Sequence, residues 1–310
     1  MLTATLLALA AAVIHAGWNL AIKQSGDRFV ALWGQFLIAA LLSGAVMLAF
    51  PSARHIAWSY ALASGLIHTP YAIALAKAYD SGDFSITYPL ARGGGALLAA
   101  IGGTIVLHDD LTILGWIGAG IIFAGLVLLS RPWQAFRAGQ GGANRQFGAN
   151  RQSGAGQVGA NRQFDRALLW ALLVSVTIAA YTIIDAEGSR RSDNPAYVLG
   201  GFIFGGASLT VTGLASGRGR QLATVLRASG AKIGAGAVAS MVTYAMVLIA
   251  VRTAPVGYVA AIRECSVVLG ALAGWFVLGE GRGKDSADAH RRIRAAVVVA
   301  GGLVVLVIGR

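Results

Sequence analysis

The feature that most constrains this chain is an arginine inside an apolar run, and it occurs twice. In residues 88–109, YPLARGGGALLAAIGGTIVLHD, Arg92 opens the run and Asp109 closes it 17 residues later. In residues 263–280, RECSVVLGALAGWFVLGE, Arg263 and Glu280 repeat that spacing. Six of the 18 aligned positions are identical: Arg92/Arg263, Leu98/Leu269, Ala100/Ala271, Gly103/Gly274, Val106/Val277 and Leu107/Leu278. A tyrosine precedes each arginine, Tyr71 in YAIALAKAY and Tyr244 in YAMVLIAVR, with two more residues in the first copy. A charge that recurs in register within apolar sequence describes a duplicated membrane protein.

Composition agrees. With 56% hydrophobic residues, 12% charged residues and a mean hydropathy of +0.67, 310 residues are too apolar for a soluble domain. The net charge of +12 does not mark a nucleic-acid binder, because Arg and Lys fall in the connections between apolar runs. The single cysteine, Cys265, excludes an internal disulfide and an all-cysteine metal site and reads as a small packing residue. The N-terminus, MLTATLLALAAAVIH, lacks a basic leader region and reads as a first membrane helix rather than a cleaved signal.

About 20 apolar residues cross a bilayer. That ruler places helices at 2–22, 29–50, 56–79, 84–107 and 111–130, then at 167–187, 196–216, 231–252, 256–279 and 293–309. Trp33, Trp58, Trp116, Trp133, Trp170 and Trp275 fall near proposed ends, where an indole sits at headgroup level. Residues 131–166 repeat GANRQ three times, carry few aliphatic residues and read as a disordered basic linker. The expectation is an all-α integral membrane protein with domains 1–130, 131–166 and 167–310. Five helices per copy invert the second repeat relative to the first. Connections after the odd-numbered helices hold 18 Arg or Lys against five on the other side, which places both termini outside the cytoplasm.

Arg92 carries the clearest chemical signal, since a charge at a helix centre costs at least ~2.5 kcal/mol in lipid and needs water, a ligand or a partner. The reading is a water-filled cavity in which Arg92 grips an anionic group, against a structural pair with an acid. Arg263 is followed at once by Glu264 and reads as a second site with a structural or gating ion pair. His15, Asn19 and Lys23 share one face of the first helix, with Trp18 beside them. His68 and Tyr71 flank Pro70 in the third helix, and Tyr181 and Asp185 stand one turn apart in the sixth. No enzymatic motif occurs, and the five histidines lack metal-ligand spacing. The turn at His108, Asp109 and Asp110 reads as hydrated. Gly93, Gly94 and Gly95 read as a packing surface before a hinge.

The stretches HAGWNLAIK (15–23), ITYPLARGGG (86–95), AYTIIDAEG (180–188) and the segment 254–280 ending in LGE resemble the drug/metabolite transporter superfamily, in its ten-helix form with two EamA-type repeats. The resemblance implies a secondary transporter or exporter in the cell inner membrane. It implies a central cavity lined by His15, Trp18, Asn19, His68, Tyr71, Tyr88, Arg92, Tyr181, Tyr244 and Arg263, with Asp185 and Glu264 for coupling or gating. No cofactor, metal or nucleic acid is expected, and the partners are a small-molecule substrate and membrane lipids around a monomer or homodimer. Two departures stand out: HDD replaces the first LGE, and the linker is long. The resemblance also implies cytoplasmic termini, opposite to the charge count. The expected solutes are small polar or amphipathic metabolites such as amino acids or other carboxylates; multidrug efflux and a flippase-like activity are the rivals.

Overall fold

The computed structural model describes the backbone of residues 1–23, 27–81, 84–130, 154–269 and 286–309, and side chains at 1–17, 27–78, 90–129, 166, 168–269 and 293–309. The described backbone is helical with no strand. In chain order the helices are α1 (Leu2–Lys23), α2 (Arg28–Ala49), α3 (Trp58–Ser81), α4 (Phe84–Val106), α5 (Ile113–Ser130), α6 (Gly154–Arg190), α7 (Tyr197–Ala215), α8 (Gly219–Ala250), α9 (Val256–Arg263) and α10 (Ser286–Ile308). Arg28–Ala49, Leu168–Arg190, Tyr197–Ala215 and Gly219–Ala250 are long and apolar enough to cross a membrane, and shorter apolar helices include Leu2–Gly17 and Ile293–Ile308. Together they make a multi-pass membrane protein.

The burial pattern shows what surrounds the bundle. On α1 the buried residues are Ala4, Thr5, Ala8, Ala11 and Ala12, while Leu2, Leu6, Leu9 and Val13 face outward. A water-soluble helix turns its large apolar residues inward; here small ones lie inside and large ones outside, as lipid permits. The same small-residue logic brings α5 onto α10. A Cβ at Gly118 would meet the Leu306 backbone at 2.5 Å, and one at Gly302 would meet Ile122 at 2.9 Å.

Helices from the two halves of the chain interleave. α3 packs on α6 and α7, and α8 packs on α1 and α2; α4 lies on α6, and α9 lies on α1. α2 meets α7, α4 meets α9 and α5 meets α10. Moving every helix number by five returns the same set of contacts. One consequence is a pair of three-helix clusters, α3–α4–α6 and α8–α9–α1, facing each other across the centre.

Several boundaries depart from the expectations above. α6 begins at Gly154, so 154–166, including the third GANRQ, extends a membrane helix instead of joining the linker; residues 131–153 lie outside the described residues. α8 begins at Gly219, ahead of the expected span, and bends at Ser229 (φ −140°, ψ 19°), where a basic segment meets the apolar one. The expected helix 256–279 breaks at Glu264 after eight residues, resumes at 265–269 and then leaves the described residues. Trp33 is not at a headgroup boundary. It is fully buried, its Nε1 donates to Thr210 Oγ1 at 3.0 Å, and its ring lies against Gly213, where the missing side chain makes room.

Candidate functional site

On α3, His68 and Tyr71 lie one turn apart and face the centre. His68 Nδ1 bonds the Ser64 carbonyl at 2.8 Å. A carbonyl only accepts, so Nδ1 carries a proton, and in the neutral ring Nε2 is then the acceptor. The His68 ring stacks on Tyr181 of α6 with centroids 4.6 Å apart. Tyr71 meets Tyr181 edge-on at 5.7 Å, and Tyr181 meets Tyr244 of α8 at 6.3 Å. Phe36 and Phe202 continue the wall, at 5.4 Å from His68 and 6.3 Å from Tyr244.

Asp185 stands one turn beyond Tyr181 on α6 and is 1% exposed. Its Oδ1 accepts from the Tyr197 hydroxyl at 2.8 Å, and its Oδ2 accepts from the Tyr244 hydroxyl in a short bond. Among the described residues no Arg or Lys pairs with it. Tyr197 escaped the sequence reading because it opens α7, a position that looks interfacial; the signal is its place across a short turn from Asp185.

The arginines lie at the other end of the wall. Arg92 Nη2 donates to Glu264 Oε1 at 2.8 Å, with both side chains 4% exposed. The expected pairing of Glu264 with its neighbour Arg263 is therefore corrected. Adjacent helical residues point about 100° apart, and the break at Glu264 turns its carboxylate toward α4. The second oxygen, Oε2, is buried and has no hydrogen-bond partner among the described residues. It sits beside an apolar slot between α4, α5 and α9 lined by Gly93, Leu97, Phe123, Leu126 and Ala261. Arg263 is 7% exposed and lies over the Tyr244 ring, 6.0 Å from its centroid. His15 of α1 is within electrostatic reach of both Arg92 and Arg263.

The structure thus brings together His15, His68, Tyr71, Arg92, Tyr181, Asp185, Tyr244, Arg263 and Glu264. The side chains of Trp18, Asn19 and Tyr88 lie outside the described residues. The nine divide between the two clusters: His68, Tyr71, Arg92, Tyr181 and Asp185 on α3–α4–α6, and His15, Tyr244, Arg263 and Glu264 on α8–α9–α1 and its continuation. Arg92–Glu264 and Asp185–Tyr244 cross the gap between them.

One end of that gap is closed by polar contacts. Arg190, at the end of α6, donates to both oxygens of Asp109, to the Val251 carbonyl at 2.8 Å and to the Ala254 carbonyl at 3.3 Å. Asp109 Oδ2 also accepts from the Val256 amide at 2.7 Å, capping α9. Arg252 bonds the Ser189, Ser192 and Asn194 carbonyls in return. Asp109 is therefore not a merely hydrated turn residue. Its partner lies 81 residues away, beyond what spacing reveals.

Residues 165–286 match the sequence profile of the EamA-like transporter family. No curated protein matches the sequence. Among solved structures 28 chains match. One of these, described as "Crystal structure of protein", superposes with a TM-score of 0.66 at 17% sequence identity, over 98% of this chain and 97% of that one. At that identity the likeness shows the fold alone.

Proposed function

We propose that this chain, whose second half carries an EamA-like transporter domain, is a secondary transporter, working as an exporter in the cell inner membrane. Its solutes are small polar or amphipathic metabolites, such as amino acids or other carboxylates, carried by alternating access. The observation that carries this reading is the two-ended site inside the bundle. Two buried guanidiniums stand at one end, a buried carboxyl group with no Arg or Lys partner among the described residues at the other, and an aromatic wall runs between them. Intramembrane charges mark solute pathways, because only water, a ligand or a partner offsets their burial.

The exchange of helix contacts supports two inverted five-helix repeats with the site on their pseudo-twofold axis. Because the halves interleave, alternating access separates α3–α4–α6 from α8–α9–α1 rather than one sequence half from the other. The polar contacts at Asp109, Arg190 and Arg252 then mark the closed gate of the conformation described.

Asp185 within an aromatic wall also favours a second reading, efflux of lipophilic cations, since tyrosine faces and a carboxylate both attract positive charge. A flippase-like path draws support only from the lateral slot at Glu264. The deciding experiment is counterflow of labelled anionic, zwitterionic and cationic solutes in reconstituted vesicles, comparing wild type with Asp185→Asn. Movement of a carboxylate-bearing class sustains the carrier; movement restricted to lipophilic cations and abolished by Asp185→Asn replaces it with drug efflux.

A further inference from the structure

The duplication that aligns Arg92 with Arg263 aligns Glu264 with Gly93. The two halves therefore supply two arginines to the centre but only one adjacent acid. Space, not sequence order, decides which arginine that acid serves: Glu264 reaches across to Arg92 at 2.8 Å and leaves its own neighbour. Among the described residues the Arg263 guanidinium has neither a hydrogen bond nor an ion pair; it lies over the Tyr244 ring at 6.0 Å, with His15 within electrostatic reach. A guanidinium carries five N–H donors and no acceptor. The residue as a whole is 7% exposed, and the ring it lies over offers its donors no acceptor lone pair.

We infer that Arg263, not Arg92, holds the anionic end of the solute, and that Glu264 occupies Arg92 as a tie between the two helix clusters. This rests on the transporter reading only for its physiological meaning; the binding chemistry stands on the site itself. A planar guanidinium matches a carboxylate through two parallel hydrogen bonds, so the class of ligand is a carboxylate-bearing solute with an apolar body. Tyr244 supports the assignment from below. Its ring faces Arg263 and its hydroxyl holds Asp185, so the arginine is presented by a tyrosine that is itself anchored. Arg92 and Glu264 neutralise each other, and Arg263 keeps its charge for a guest.

The test is binding to the purified full chain in detergent, followed by intrinsic tryptophan fluorescence and thermal shift. The probes are three acid and amide pairs: L-leucine and leucinamide, L-phenylalanine and phenylalaninamide, benzoate and benzamide. Wild type is expected to bind at least one acid in preference to its amide. Arg263→Gln should lose about tenfold to a hundredfold in affinity for that acid, the range of a charge-assisted hydrogen bond. Arg263→Lys, which keeps the charge without the fork, should lose less. The double variant Arg92→Gln/Glu264→Gln, which removes the tie without stranding a charge, should lose less affinity for that acid than Arg263→Gln does. In vesicles Arg263→Gln should raise the half-saturation constant, whereas the double variant should change the maximal rate.

Arg263→Gln binding the acid as well as wild type overturns the inference, as does a wild type that binds no acid of the panel or binds acid and amide equally. If solutes move across vesicles while acid and amide compete equally, this inference fails and the carrier stands. If the acid binds through Arg263 but nothing moves, the carrier fails and this inference stands. Circular dichroism and size exclusion of each variant identify misfolding, and Arg263→Lys then carries the comparison.

Discussion

Asp109 and Arg190 meet through two parallel hydrogen bonds, 2.7 and 3.1 Å long, that join the turn after α4 to the end of α6. Both belong to one helix cluster, and together they clamp the α8–α9 turn of the other through the Val256 amide and the Val251 carbonyl. Opening this end of the protein must release that clamp. Asp109→Asn removes the charge from three hydrogen bonds while keeping the shape.

Cys265 reports that opening. It is the single cysteine of the chain and lies buried beside the central site. We expect Asp109→Asn to raise the rate of thiol labelling from the clamped side about tenfold or more, the consequence of weakening its three charged hydrogen bonds. Stopped labelling assays on right-side-out and inverted vesicles measure it; an unchanged rate from both sides means that the clamp does not gate access.

The buried pair Arg92–Glu264 should show the asymmetry of intramembrane charge. Arg92→Gln or Glu264→Gln alone strands a charge at 4% exposure and should destabilise the protein by about 3–5 kcal/mol. The double variant should recover most of that loss. Thermal unfolding in detergent, read as a double-mutant cycle, gives the coupling; additive losses would show that the two residues do not act as a pair.

Much of this arrangement was legible in the sequence, and the part that was not has a common physical cause. The apolar runs anticipate the helices, four of them long and apolar enough to cross a membrane, and both arginines singled out within apolar sequence are buried. Pairing is different. Glu264 sits beside Arg263 in sequence yet serves Arg92, 172 residues away, because a helix break turns it. Asp109 and Trp33 were read as surface residues for the same reason, since their partners, Arg190 and Thr210, come from the other half. Interleaving of the halves hides these contacts from any local pattern.

Tyr197 and Tyr244 each give one hydroxyl to Asp185. Either change to Phe removes a bond to a charged group and should cost about 1.5–3 kcal/mol. Tyr244→Phe should also reduce solute affinity by altering what anchors the ring under Arg263, whereas Tyr197→Phe should leave affinity nearly unchanged. Parallel unfolding and binding measurements separate the two; equal effects on affinity would deny Tyr244 its second role.

Glycines of α4 and α5 divide by what stands opposite. A Cβ at Gly94 would meet Ser175 Oγ at 2.7 Å and one at Gly95 would meet Ile178 at 2.7 Å, whereas Gly120 faces open space. Gly95→Val should push α4 from α6 and lower the yield of folded protein, the close approach being what membrane helix packing relies on. Gly120→Val should be tolerated. Expression with fluorescence-detected size exclusion compares them, and equal tolerance would point to a hinge at Gly93–Gly95 in place of packing.

When Arg92 is aligned with Arg263, Glu264 falls on Gly93. A Cβ there would press on Leu126 at 2.9 Å and on Phe123 at 3.2 Å. A side chain at that position would have to move the ends of Leu126 and Phe123 aside, a demand that glycine avoids. Where the two aligned stretches differ, the centre receives a carboxylate from one side only, and a bundle whose helix contacts repeat carries a one-sided charge.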